Sequence, residues 1–223
     1  MKRFKITDLL IGVLFTLLFI SIAVVVTINF RPLYYMDIRL LHIEETSGLS
    51  REVIQENYDA LIDYSSPFFQ GALRFPTLPA SEHGLIHFEE VKNLFTSFYL
   101  MGMVTLVLGI IIIIRKAKKN EYNYLLVSSV TAIALPALLA LLLSIDFDRA
   151  FVVFHKLFFN NDYWLFDPAT DPVILILPDT FFLHCALMII VLVIFMSLLF
   201  LAAFFWKKQH SGIKYRKNKG LKL

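Results

Sequence analysis

Four long stretches without a single aspartate, glutamate, lysine or arginine constrain the fold of this 223-residue chain more than any other feature. Crossing the hydrocarbon core of a membrane takes roughly 20 apolar residues in an α-helix, and each stretch is long enough. The chain is 58% hydrophobic, above the roughly 45–50% of soluble domains. The stretches therefore predict an all-α membrane protein built on a four-transmembrane-helix bundle. The predicted spans cover about residues 8–30, 92–114, 122–145 and 180–206.

The segments between spans one and two (31–91) and between spans three and four (146–179) carry most of the polar residues. We expect them to pack into one small extracellular cap rather than to act as linkers. A helix is expected to begin near Ser81 and to continue through His87 into the second span. Pro178-Asp179 is expected to open the fourth span, because proline is favoured in the first turn of a helix.

Two further helices are predicted inside the cap from their N-terminal capping residues. Ser50 is a candidate N-cap for a helix that runs through Tyr64. Asp148 is a candidate N-cap for a short helix from Arg149 to Phe159. Each capping side chain would accept a hydrogen bond from a free backbone N–H of the first turn.

Lysine and arginine are distributed very unevenly, and this asymmetry predicts the orientation. Fourteen of the 21 basic residues fall on one side of the predicted spans, together with only Asp8 and Glu121 of the 18 acidic residues. Because basic loops stay in the cytoplasm, both termini are expected there, with residues 207–223 as a basic cytoplasmic tail. The basic positions are Lys2, Arg3, Lys5, Arg115, Lys116, Lys118, Lys119, Lys207, Lys208, Lys214, Arg216, Lys217, Lys219 and Lys222.

The first span has some features of a secretory signal peptide, since basic residues precede its apolar run. The run is longer than the apolar region of about 7–15 residues that such peptides carry, and no small-x-small cleavage site follows. Arg31-Pro32 is expected to end the helix instead. We therefore expect a retained membrane span.

Three histidines lie at the boundary between the predicted cap and the membrane. His83 and His87 are one helical turn apart, and His155 lies in a phenylalanine-rich segment. A histidine in such surroundings is a candidate general base, because its pKa lies near neutrality. More often a histidine on an apolar face is a hydrogen-bonded structural residue, and that interpretation stays open. The span centres carry no charged group, which argues against a transporter.

His83 and His87 also allow a second hypothesis, a metal site, because residues four apart share a helix face. A third ligand would then be needed, and no second strong ligand pair is visible. Cys185 beside His184 is predicted to be a packing residue rather than half of a reactive pair. Candidates for the third metal ligand are His42, Glu82, Glu89 and Glu90.

The chain lacks a G-x-S-x-G nucleophile motif, a glycine-rich phosphate loop and an H-E-x-x-H motif. Its basic tail holds one aromatic residue, Tyr215, which favours contact with anionic membrane lipid over nucleic-acid binding. From these residues alone, a non-enzymatic membrane sensor or assembly factor with a partner-binding cap remains an alternative to an enzyme.

Several local segments resemble the family of the lipoprotein intramolecular transacylase Lit of Gram-positive bacteria. The resemblance extends over nearly the whole chain, including the layout of four spans and an outer cap. The segments that carry it are His87–Lys92, Phe154–Phe159, Asn161–Pro168, Asp171–Ile174 and Pro178-Asp179.

The resemblance implies an enzyme of the bacterial cell membrane that acts on diacylated lipoproteins at the outer leaflet, with no cofactor. The acyl chain at the glyceryl sn-2 oxygen would move to the α-amine of the same N-terminal cysteine and give a lyso-form lipoprotein. The implied catalytic residues fall on His87 and His155, in roles left open between them. Oligomeric state is not predicted. Weaker candidates for positioning or binding the substrate are Arg149, Phe154, Phe158, Asn161, Trp164 and Asp171, although Arg149 fits a helix surface equally well.

Overall fold

The computed structural model describes residues 5–220, without the side chains of residues 211–220 and of four leucines at 135, 139, 142 and 143. The predicted basic positions Lys2, Arg3 and Lys222 lie outside the described residues. All regular structure within 5–220 is helical, and no β-strand occurs there. The helices are α1 (Ile6–Asn29), α2 (Arg31–Leu40), α3 (Ile43–Ser47), α4 (Arg51–Ser65), α5 (Glu82–Lys118), α6 (Asn123–Ile145), α7 (Phe147–Phe158), α8 (Val173–Ile176) and α9 (Asp179–Gly220).

Three of these helices are long and apolar enough to cross a membrane by themselves: α1, α5 and the Asp179–His210 part of α9. They correspond to the predicted first, second and fourth spans. The predicted third span corresponds to α6, a helix of 23 residues with Pro136 inside it. Its described apolar part, Asn123–Leu138, is shorter than the other three. A count of four spans therefore remains a prediction.

The described residues form two compact units. The first comprises those up to Ser21, Met101–Leu139 and those from Ile190 onward, and the second comprises Ile22–Leu100 and Ala140–Ile189. In the second unit, Tyr34 of α2 stacks on Tyr58 of α4 with ring centroids 3.6 Å apart. The fully buried hydroxyl of Tyr34 donates a hydrogen bond of 2.7 Å to the Ile176 carbonyl. These contacts show that the polar segments fold around a core of their own.

In the first unit, the basic side of the chain holds a small ion cluster. The Lys116 ammonium lies 3.0 Å from the buried carboxylate of Asp8 and 3.3 Å from that of Glu121. Elsewhere in this unit, Phe15 packs edge-on against Phe200 with ring centroids 4.8 Å apart. The two acidic residues that sequence analysis placed among the basic ones thus share one lysine.

The two helices predicted within the cap segments correspond to α4 and α7, and the N-cap of α7 differs from the predicted one. Ser50 caps α4 as predicted, accepting a hydrogen bond from the Val53 N–H. The N-cap of α7 is Asp146, not Asp148, and its carboxylate accepts from the Arg149 N–H at 2.9 Å. Asp148 lies inside the first helical turn, because the helix begins two residues earlier than predicted.

The interpretation of Arg31-Pro32 as a simple helix end was also incomplete. Helix α1 ends at Asn29, but α2 begins at once with proline in its first turn. A proline is tolerated there because the N–H that it lacks would have no partner inside the helix. The same dipeptide therefore ends one helix and starts the next.

Candidate functional site

His87 of α5 and His155 of α7 lie side by side in the second unit, with ring centroids 5.9 Å apart. Both are buried, with 5% and 8% of their surface exposed. His87 belongs to the part of α5 that precedes the uncharged stretch, and α7 follows the third predicted span. The fold thus brings together the two histidines that sequence analysis singled out.

Aromatic rings pack against His87 and contribute to its burial. The Phe159 ring lies edge-on at 4.8 Å and the Phe166 ring at 5.6 Å, measured between centroids. Burial, with a smaller contribution from the neighbouring His155, lowers the pKa of His87 to about 4. His87 is therefore neutral at neutral pH and has a lone pair on one ring nitrogen.

His155 is held by its own helix and by a tryptophan. Its Nδ1 lies 2.8 Å from the Phe151 carbonyl oxygen, which only accepts hydrogen bonds, so Nδ1 carries the proton. In the neutral ring, Nε2 then carries the lone pair. The indole of Trp164 stacks on the imidazole at 4.6 Å. Burial lowers the pKa of His155 as well, although the hydrogen bond to Phe151 opposes this.

A polar pair, Glu90 and Asn161, lies beside the histidines. The Asn161 amide donates a 2.8 Å hydrogen bond to Oε1 of Glu90. Asn161 is fixed in turn, because its backbone carbonyl accepts from the Trp164 indole N–H at 3.1 Å. The second oxygen of Glu90, Oε2, lies 3.9 Å from Nδ1 of His87. Sequence analysis named Asn161 as a weak candidate and considered Glu90 only as a metal ligand.

Asp171 contacts the start of α5 rather than the histidines. Its Oδ1 accepts from the Ser81 N–H at 2.8 Å, and its Oδ2 accepts from the Thr170 hydroxyl. Gly84 lies so close to this carboxylate that an added Cβ would collide with Oδ1. Asp171 therefore fixes the first turn of the helix that carries His87.

The remaining candidates lie at the edge of the site. Phe154 is 44% exposed and its ring contacts that of His155 edge-on at 5.4 Å. Phe158 is 46% exposed and contacts Phe154 at 4.8 Å. Arg149 has an exposed side chain in the first turn of α7, which fits the helix-surface interpretation.

The metal hypothesis gains no support from the geometry. His83 is exposed and stacks on the Tyr163 ring at 4.1 Å, whereas His87 is buried. Among the residues that the structure describes, no group of three His, Cys, Asp or Glu side chains is placed to hold a metal ion.

One buried polar contact was not predicted. Nδ1 of His184, near the start of α9, lies 2.9 Å from each carboxylate oxygen of Asp37 in α2. Asp37 is 1% exposed. The residues are 147 positions apart, so no local sequence pattern connects them. Cys185, predicted to be a packing residue, packs against the hydrophobic core of this unit.

These features define a class: a helical membrane protein in which two neutral histidines and a carboxylate–amide pair share an aromatic site. The sequence profile described as "Lipoprotein intramolecular transacylase Lit" matches residues 9–182. The chain therefore belongs to the Lit family, a family of membrane-integral acyltransferases whose name implies a lipoprotein substrate.

Solved structures agree with this assignment. The structure of the membrane integral lipoprotein intramolecular transacylase Lit from Bacillus cereus is 36% identical, with a TM-score of 0.89 over 93% of this chain and 98% of that one. A B. cereus Lit variant with a histidine replaced by arginine is 35% identical, with a TM-score of 0.83 over 93% and 95%. A variant with a histidine replaced by alanine is 35% identical, with a TM-score of 0.85 over 92% and 94%. No protein with curated function matches the sequence significantly.

Proposed function

We propose that this protein is a lipoprotein intramolecular transacylase that uses His87 and His155 for acid–base catalysis. It moves the sn-2 O-acyl chain of an S-diacylglyceryl cysteine to the α-amine of that same cysteine. The product is a lyso-form lipoprotein with an N-acyl chain. The observation that carries the proposal is the pair of buried imidazoles 5.9 Å apart in an aromatic site, in a chain of the Lit family.

The chemistry needs no protein nucleophile. The amine nitrogen attacks the ester carbonyl carbon of its own molecule, a C–N bond forms, and the bond from that carbon to the sn-2 oxygen breaks. The transition state closes a medium-sized ring through Cα, Cβ, sulfur and two glyceryl carbons. Several torsions must be fixed together for that closure, so an enclosed site accelerates it by holding the folded conformer. An aromatic lining suits a substrate that brings acyl chains with it.

The reaction removes two protons from the substrate amine, and two neutral histidines can accept one each. The substrate amine has an ordinary pKa of about 8, so it arrives as an ammonium with one proton to lose before attack and a second to lose after it. One imidazole takes the first proton and delivers it to the departing sn-2 oxygen, which leaves as a hydroxyl. The other imidazole takes the second and releases it to solvent. Both rings must be neutral at rest, which is the state that burial favours.

The site geometry also supports four spans, and the uneven distribution of basic residues supports an outer cap with cytoplasmic termini. His87 precedes the uncharged stretch of α5, and His155 follows α6. If α5 crosses the membrane, the chain returns to the side of His87 only when α6 crosses too. The distance of 5.9 Å between the rings supports that return. With basic loops in the cytoplasm, the histidines face the outer leaflet.

The experiment compares three histidine variants with the parent protein. Each purified protein is mixed with a synthetic diacylglyceryl-cysteine lipopeptide in detergent, and the product N-terminus is identified by mass spectrometry. We expect His87→Ala and His155→Ala each to lower the rate of acyl transfer by roughly 10²–10⁴-fold, the usual contribution of acid–base catalysis. His83→Ala is the matched control, because His83 is exposed one turn earlier on the same helix, and it should keep the parental rate.

Other outcomes point to the alternatives. Normal acyl transfer in both His87→Ala and His155→Ala would overturn the catalytic assignment. No transfer by the folded parent protein would favour the sensor or assembly factor. Loss of activity in His83→Ala together with inhibition by a chelator would revive the metal-site hypothesis, with the protein acting as a metal-dependent hydrolase.

A further inference from the structure

Two buried polar atoms of the site face each other without a hydrogen bond. Within residues 5–220, neither Nδ1 of His87 nor Oε2 of Glu90 has a hydrogen-bond partner, and both are shielded from solvent. They lie 3.9 Å apart, too far for a direct hydrogen bond. A buried polar atom without a partner is costly, so such atoms in a site point to a ligand.

The two acceptor atoms indicate which kind of ligand could bind between them. Oε1 of Glu90 is already held by the Asn161 amide, which aims Oε2 toward His87. A carboxylate oxygen only accepts hydrogen bonds, and a neutral imidazole nitrogen with a lone pair does the same. A single nitrogen with several hydrogens can donate to both, since acceptors 3.9 Å apart can each lie about 2.9 Å from the same atom. A positive charge on it would pair with the Glu90 carboxylate, whose Oε2 is shielded from solvent.

We infer that Glu90 and His87 together bind the α-ammonium of the substrate's N-terminal cysteine. Resting on the proposed transacylase function, this inference gives the enzyme its selectivity for lipoproteins with a free amine. One N–H of the ammonium donates to Oε2 of Glu90 and another to Nδ1 of His87. His87 then takes the first proton, which makes it the base that frees the amine for attack. His155 receives the second proton after the C–N bond has formed.

The test measures binding rather than turnover. Two unreactive lipopeptides are used, in which an ether replaces the sn-2 ester: one with a free α-amine and one with hydrogen in its place. The parent protein should bind the amine probe about tenfold or more tightly than the des-amino probe, as expected for a charged hydrogen bond in a buried site. Glu90→Gln should lose that preference, while its affinity for the des-amino probe stays the same.

Glu89→Gln provides the control, because Glu89 is the adjacent, exposed carboxylate on the same helix. It should keep the preference for the amine. The inference is overturned if Glu90→Gln also keeps the preference, or if it weakens both probes equally, as a purely structural residue would.

Acyl transfer by the parent protein, measured separately on the ester substrate, tells the two proposals apart. Amine preference through Glu90 without any acyl transfer would reject the transacylase and leave the ammonium site standing. Acyl transfer with an unchanged preference in Glu90→Gln would reject the ammonium site alone.

Discussion

At the scale of single residues, the presence of glycine at position 84 is explained by the Asp171 carboxylate that lies against it. The sequence pattern predicted a helix starting near Ser81 but gave no reason for a glycine in its first turn. The reason is the Asp171 carboxylate, 87 positions away along the chain, whose Oδ1 is fixed by the Ser81 N–H and occupies the space of a Cβ. Because that oxygen cannot shift without straining its hydrogen bond to the Ser81 N–H, a side chain at this position is expected to be costly.

We expect Gly84→Ala to lower stability by about 1–3 kcal/mol, the usual cost of overpacking, and to reduce acyl transfer at the same time. His87 lies one turn further along the helix, so a displaced first turn also displaces the imidazole. Thermal unfolding in detergent and the transfer rate measure the two effects. Glu82→Ala, an exposed change in the same turn, should have little influence on either. An unaltered melting temperature in Gly84→Ala would show that the Asp171 side chain can move aside at little cost, and the prediction would be wrong.

Some residues of the site could be predicted from the sequence, and others could not. The position of three histidines at the predicted boundary made them candidates, and the resemblance to the Lit family selected His87 and His155 from them. The contacts of Glu90 were not predicted, because nothing in the segment His87–Lys92 distinguishes Glu90 from the adjacent Glu89. Its partner Asn161 is 71 positions away, and only the folded chain makes that contact.

At the scale of elements, helices with clear starting signals were predicted and α2 was not. Ser50 ahead of α4 and Pro178-Asp179 ahead of α9 mark helix starts directly. Helix α2 has a weak pattern, and its proline resembles a helix end. It is stabilised by tertiary contacts, namely the stacking of Tyr34 on Tyr58 and the buried pair of Asp37 with His184.

The Asp37–His184 pair should therefore couple α2 to α9. We expect His184→Ala to destabilise the protein by about 2–4 kcal/mol, because it leaves a carboxylate buried without its partner. The double variant Asp37→Asn/His184→Ala should recover part of that loss, since no charge then remains buried. A double-mutant cycle on thermal unfolding gives the coupling. Additive effects of the two changes would mean that the pair contributes nothing beyond packing.

At the scale of the whole molecule, the hydrophobic stretches and the uneven charges predicted the helical membrane architecture. They also predicted four spans, and that count stays a prediction, because only three of the described helices are long and apolar enough to cross a membrane by themselves. The proposal of four spans rests on the site. Most of α5 and all of α6 separate His87 from His155 in the sequence, yet their ring centroids lie 5.9 Å apart.

Topology can be measured with single cysteines in a Cys185→Ala background. A membrane-impermeant maleimide should label Gln70→Cys in intact cells, but Lys119→Cys and Gln209→Cys only after permeabilisation; all three positions are exposed. With three spans, Gln209→Cys would instead react in intact cells, because α9 would then end outside. Labelling of Lys119→Cys in intact cells would reverse the predicted orientation.

The stacking of Trp164 on His155 has a practical consequence. The chain contains two tryptophans, and the other is Trp206 on the exposed surface of α9. A Trp206→Phe variant would confine all indole fluorescence to a ring 4.6 Å from the His155 imidazole. Such a variant carries an intrinsic optical reporter beside the proposed catalytic histidine. The Trp164 fluorescence of this variant should report substrate arrival and proton transfer at His155 without an attached dye.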